Sequence, residues 1–223
     1  MGDAKIPISD DVYIRLVLPT DYDSLADICL KTADSGNDGT HLFKIARIVG
    51  ERWILPYAIL QPELCVVLVD KSKGERVVGY ACAALDTGAF EKKVEETYFP
   101  FMRLQYPLSM VTEGKVRLLP DDVSAVKGFH TPELAPAAVK KSYPSHLHID
   151  IYGEYHGRRY GDRLLHALFA LLREKGSVGV HLGMSSKNAK ARRFYDRLGF
   201  KFLGGDDSGW MLGMRFTEAD SKI

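Results

Sequence analysis

The chain has 223 residues, 46% of them hydrophobic, with 30 Lys and Arg against 29 Asp and Glu. That length and apolar fraction suit one sizeable core, and the near-balanced charge gives no footing for nucleic acid or an anionic membrane surface as partner. The three cysteines, Cys29, Cys65 and Cys82, lack CxxC spacing, MGDAKIPISDD is not a secretory leader, and no apolar run reaches the ~18 residues of a membrane span. The expectation is a cytoplasmic protein with buried, reduced thiols. Ile6 stands where myristoylation of Gly2 needs Ser or Thr.

Residues 1–11 read as a tail. Residues 12–18 form a first strand that Pro19 ends, and Thr20 with Asp23 approximates a capping box for a helix over 22–32, with Leu25, Ile28 and Cys29 inward. DSGNDGT at 34–40 is a loop of turn residues; Asp34 and Asp38 either greet a cationic acceptor or form a solvated turn. A second helix covers 42–53. The Val-rich runs 63–70 and 76–86 flank DKSKGE and make an antiparallel hairpin. Residues 87–144 are too long for a simple connection, since most run about four to six residues. They carry helical material at 90–106, an irregular middle at 107–120 and a helix at 132–141, and read as an inserted lid. Glu95 and Glu96 fall on a solvated helix face, unless the lid folds over the site.

Residues 146–151 alternate polar and apolar side chains, as a half-buried strand does, so His146 and His148 share one face. Both meet a cleft or both meet a packed helix. Residues 152–161 hold Gly153, Gly157 and Gly161 beside His156, Arg158 and Arg159, just before an amphipathic helix over 159–175 that Gly176 closes. A helix N-terminus behind a glycine-containing cationic loop suits a phosphate, yet a plain turn has the same look. No GxxxxGK[ST] run or full GxGxxG occurs. Residues 178–183 make another strand, parallel to the one before the loop because a crossover helix joins them. Residues 188–198 form a last helix. Asp86, at a strand end facing the insertion, and His148 are the candidate general bases; no His, Cys or carboxylate cluster has metal-ligand spacing.

In that last helix Asn188, Ala191, Phe194, Tyr195, Leu198, Gly199 and Phe200 stand in the order NxxAxxFYxxLGF. With the loop before it, this resembles the GNAT superfamily of acyl-CoA-dependent N-acyltransferases. From about Tyr13 to Phe216 the chain is similar to a branch related to the C-terminal acetyltransferase-like domain of O-GlcNAcase, whose free-standing members are thought to keep cofactor binding.

The resemblance implies an α/β (α+β) GNAT fold: a central mixed, twisted sheet of about seven strands flanked by helices, with a helical insertion between strands three and four, in one domain over 12–217 followed by a tail at 218–223. It implies acetyl-CoA as co-substrate, a primary amine of a small molecule or protein as acceptor, no metal, and a homodimer as one option. Backbone groups of Ile149, Asp150 and Ile151 would hold the acyl end; His156, Gly157, Arg158, Arg159, Tyr160, Gly161 and Asp162 would hold the pyrophosphate. Asn188 and Arg192 would contact the cofactor, and Tyr195 would protonate the leaving thiolate. Two positions of the family's [Q/R]xxGxG loop depart: His156 replaces Gln or Arg, and Arg159 replaces the first glycine. Arg159 then either pairs with a phosphate or obstructs the diphosphate. The alternative function is a catalytically inactive acetyl-CoA-binding or protein-interaction domain.

Overall fold

The computed structural model describes residues 5–113 and 117–216. The first four residues of the expected N-terminal tail and the C-terminal tail at 218–223 lie outside them. Among the described residues eight strands form one sheet: β1 (Ile6–Pro7), β2 (Val12–Leu16), β3 (Cys65–Asp70), β4 (Arg76–Ala84), β5 (Ser145–Ile151), β6 (Gly179–Met184), β7 (Lys201–Gly205) and β8 (Trp210–Arg215). Their spatial order is β1-β2-β3-β4-β5-β6-β8-β7, and every neighbouring pair is antiparallel except β5 with β6. The sheet is therefore mixed, as expected. The strand beyond the expected seven is β1, in the presumed tail, where Ile6 pairs with Ile14 and Pro7 with Tyr13.

β3 reads CVVLVD and is buried throughout, and β4 is buried from Val77 to Ala84. Both are continuous apolar runs because their two faces are covered. α1 (Tyr22–Thr32) packs on β4 and β5, and α9 (Tyr160–Glu174) on β3, β4 and β5. Leu25, Ile28 and Cys29 of α1 face inward as expected, and all three cysteines are buried and free. Among the described residues no helix is long and apolar enough to cross a membrane.

Three local readings change. Asp21, not Thr20 or Asp23, organises the start of α1: its carboxylate accepts the Leu18 amide at 2.7 Å and grips Arg15 at 2.6 and 2.9 Å, while Asp23 pairs with Arg47. The helix expected over 42–53 starts later, as α2 (Ala46–Trp53), and a separate α3 (Leu55–Leu60) follows with Pro56 in its first turn. In the insertion, α4 (Thr87–Thr97) and α5 (Phe99–Gln105) fill the expected helical stretch, and α8 (Ala137–Ser142) shortens the one expected at 132–141. A short α6 (Ser109–Thr112) lies within the segment expected to be irregular, and α7 (Pro120–His130) was not expected at all. The C-terminal part holds α10 (Ala189–Arg197).

α7 is tied to the body by a buried carboxylate. Asp122 accepts the backbone amides of Lys44 at 3.0 Å, Ile45 at 3.0 Å and Leu119 at 2.9 Å, and is fully buried. Asp122→Ala strips three amides of their acceptor at once. It should cost about 3 kcal/mol in urea denaturation; a loss below about 1 kcal/mol would show that α7 is held by its apolar contacts instead.

Candidate active site

β5 and β6 meet at only two positions, Ser145 opposite Val180 and His146 opposite His181. Beyond them β5 runs on to Ile151 and β6 to Met184 without pairing to each other. Polar contacts pin the closed end: the Ser145 hydroxyl lies 2.7 Å from that of Ser177, and His181 Nδ1 lies 2.8 Å from the Tyr143 carbonyl. At the open end the edge of β5 faces a cavity of about 1430 Å³, walled by β5, β6, α1, α2, the start of α10 and the insertion.

The loop after β5 leads into α9. His156 Nε2 donates to the Ile151 carbonyl at 2.9 Å, bracing the loop against the strand end. Gly157 has φ +78° and Arg159 φ +60°, so both take the left-handed conformation. Arg159 thus reproduces the backbone for which a glycine is the usual choice. Its side chain is 85% exposed and turns to Asp162, 3.1 Å away. Among the described residues no side chain caps α9, so its first-turn amides, including Tyr160, Gly161 and Asp162, keep free donors at the positive end of the helix dipole. A Cβ on Gly161 would sit 3.1 Å from the Phe194 ring, which is why α9 and α10 can approach there. Arg158 lies over the Tyr155 ring at 5.9 Å.

On α10, Asn188 is the N-cap, its side-chain oxygen accepting the Ala191 amide at 2.9 Å. The Tyr195 ring packs on Phe194 and Phe200 with centroids 5.2 and 5.3 Å away. Among the described residues its hydroxyl has no hydrogen-bond partner, and Tyr195 lines the cavity. Burial, then the charge of Asp150, pushes its pKa up, so the hydroxyl keeps its proton.

His146 and His148 both line the cavity, on one face of β5, but their surroundings differ. Thr87 gives its hydroxyl proton to the Pro144 carbonyl, so His146 Nδ1 donates to Thr87 at 2.8 Å and Nε2 accepts from Tyr57 at 2.6 Å. Burial, with His181 and His148 nearby, lowers the His146 pKa to about 3, and it stays neutral. His148 Nε2 instead donates to Asp150 at 2.8 Å, and the Tyr80 hydroxyl donates to the same carboxylate oxygen at 2.5 Å. Burial alone would lower the His148 pKa; the Asp150 charge and hydrogen bond, with the Trp53 carbonyl, outweigh it and raise it. Cys29 joins this cluster from α1: its sulfur and the ligating atoms of His148 and Asp150 lie within 4.8 Å of one another. The sequence spacing had suggested no such grouping. Burial raises the Cys29 pKa, so the free thiol keeps its proton.

The fold thus brings His148, Ile149, Asp150, Asn188 and Tyr195 to one cavity. Asp86 is elsewhere: exposed, it caps α4 by accepting the Ala89 amide at 2.8 Å. Arg192 is engaged by Asp196 at 2.9 Å and stacks near Trp210. The residues of the 156–162 loop stand beyond the cavity wall, around the N-terminus of α9. Sequence reasoning missed the side-chain roles of Asp150 and Tyr80, although the same alternation that pairs His146 with His148 puts Asp150 on their face.

Comparison with known proteins agrees with this geometry. Residues 133–200 match the model of the acetyltransferase (GNAT) family. The crystal structure of SsHAT is 33% identical, with a TM-score of 0.82, covering 93% of this chain and 100% of that one. Protein O-GlcNAcase of Rattus norvegicus is 24% identical over 194 residues, 86% of this chain; the chain spans about a fifth (20%) of that relative's length. yncA, a putative acetyltransferase from Salmonella typhimurium solved with its cofactor acetyl-CoA, shares the fold at 14% identity and a TM-score of 0.52, covering 94% of this chain and 96% of that one.

The left-handed Arg159 gives a direct test. Arg159→Gly removes the strain of a side chain at positive φ but loosens the unfolded chain, and stability should stay within about 0.5 kcal/mol. Arg159→Val, β-branched at the same φ, should lose about 1–2 kcal/mol in urea denaturation. Equal stability of the two variants would mean that position 159 does not hold this conformation.

Proposed function

The chain belongs to the acetyltransferase (GNAT) family, and from that premise we propose that it transfers the acetyl group of acetyl-CoA to a primary amine of a small molecule or protein. One observation carries the reading: β5 parts from β6 beside an unpartnered, protonated Tyr195 hydroxyl and the His148–Asp150 pair. In this reading 12–217 act as one domain working in the cytoplasm, and the insertion at 87–144 walls the acceptor side, where Phe90, Phe99 and Leu134 line the cavity.

The residues present fit the cofactor. The uncapped first turn of α9 offers amide donors to a diphosphate, and Arg158 adds charge beside them. The open edge of β5 over Ile149, Asp150 and Ile151 offers backbone groups to an acyl-pantetheine arm, and Asn188 stands at its side. Arg159 accepts the left-handed turn and directs its guanidinium to Asp162, which favours accommodation over obstruction. Acetyl-CoA supplies an acetyl group activated as a thioester. The chain's residues supply the proton traffic: the His148–Asp150 pair takes the proton of the acceptor ammonium, so that the neutral amine can form the new N–C bond; Tyr195 gives its proton to the sulfur as the C–S bond breaks, and the second proton that leaves the nitrogen restores Tyr195. Amides on the open edge of β5 stabilise the carbonyl oxygen in between.

Release of CoA thiol should be followed with a panel of amines. Tyr195→Phe should lower kcat by about 10²–10³-fold. Because Asp150 raises the His148 pKa, kcat/KM should climb with pH through an apparent value above ~6.5. Asp150→Asn removes the charge and should move that limb to lower pH. An unchanged profile in Asp150→Asn, or full turnover in Tyr195→Phe, contradicts the assigned roles.

A further inference from the structure

Among the described residues, four lysines and arginines line the cavity: Arg52, Lys92, Arg103 and Lys140. Three have a carboxylate of their own: Lys92 with Glu96 at 3.8 Å, Arg103 with Glu95 at 2.7 Å, and Lys140 with Glu91 at 2.7 Å. Arg52 differs. Among the described residues its guanidinium makes no hydrogen bond and no ion pair; it is held by ring faces, 5.8 Å from the Trp53 centroid and 5.5 Å from that of Phe99. α7 leaves room for it, since a Cβ on Gly128 would fall 2.6 Å from Arg52 Nε. The acidic groups that bear on it are Tyr57, whose buried hydroxyl keeps its proton, and Glu133, an exposed side chain that does not reach ion-pair distance. Burial lowers the Arg52 pKa, as expected of a cation drawn out of water without a full counter-charge.

A positioned guanidinium with its donors unspent, on the wall of a substrate cavity, is built for a planar anion. Arg52 and its neighbour Trp53, at the end of α2, line the same cavity as the pair assigned to deprotonate the amine. We propose that Arg52 binds a carboxylate of the acceptor, and that the acceptor is a small amine of the amino-acid type. This rests on the acetyltransferase reading and narrows its acceptor. The amine faces His148 and Asp150 while the carboxylate docks on Arg52, which fixes the direction in which the nitrogen approaches the acyl group.

The test compares amino acids with the matching amino-acid amides, which keep the amine and remove the negative charge. In CoA-release assays the wild type should favour the carboxylate members by at least ~10-fold in kcat/KM, chiefly through KM. Arg52→Gln should abolish the preference, and Arg52→Lys should restore part of it. Parity, or a preference for the amides in the wild type, overturns the assignment to Arg52 while leaving the acetyltransferase reading intact. A second readout does not depend on turnover: in ¹⁵N-labelled protein saturated with CoA, the Arg52 Nε resonance, assigned by its loss in Arg52→Gln, should shift on titration with the amino acids and not with the amides. A shift without acetyl transfer supports the anion site and fails the enzyme reading; no shift with any amino acid overturns the site.

Discussion

The structure turns on a parallel strand pair that stops early. Two parallel strands in one sheet normally share evenly spaced hydrogen bonds along their length. Here β5 and β6 are joined only at Ser145–Val180 and His146–His181, and then separate. The separation leaves backbone groups of a central strand facing a cavity instead of a neighbour, a state that stands only where a polar ligand or solvent can meet them. It is also why α9, which crosses from β5 to β6, presents its N-terminus next to the same opening. The cavity, the free strand edge and the helix dipole follow from one interruption of the ladder.

Burial then sorts the titratable groups around the opening. The same low-dielectric surroundings keep Tyr195 protonated, hold His146 neutral between Thr87 and Tyr57, and would neutralise His148 as well if Asp150 were not beside it. Two histidines one turn of the pleat apart thus have opposite fates, set by whether the second neighbour is a hydroxyl or a carboxylate. Cys29 and Tyr80 complete the polar floor from elements far away in the chain, each with its proton retained.

Much of the fold was legible because its signals are local. The alternation at 146–151, the 3.6-residue stripe of α9 and the Val-rich hairpin each specify an element without tertiary help, and NxxAxxFYxxLGF pointed to the family. What was hidden depends on contacts. The start of α1 is set by Asp21 through Arg15 and the Leu18 amide, a bond across six residues that a three-residue capping pattern does not describe. α7 is marked by Pro120, Asp121 and Asp122 in its first turn but is anchored by a bond to the Lys44–Ile45 backbone, invisible before folding. Asp86 looked chemical because a carboxylate at a strand end facing an insertion resembles a base; the structure uses it as a helix cap. The effect of Arg159 could not be judged from its identity, since the question was its φ angle and not its charge.

In the proposed function the parted strands and the uncapped helix end form a pocket for an acyl-CoA, with Arg159 tolerated at the turn. Calorimetric titration of the protein with acetyl-CoA, beside CoA and 3′-dephospho-CoA, tests it most directly. The account predicts saturable one-to-one binding of acetyl-CoA, with a matching rise in melting temperature as ligand is added. No heat and no thermal shift at high acetyl-CoA would contradict it and leave the opening between β5 and β6 without its ligand.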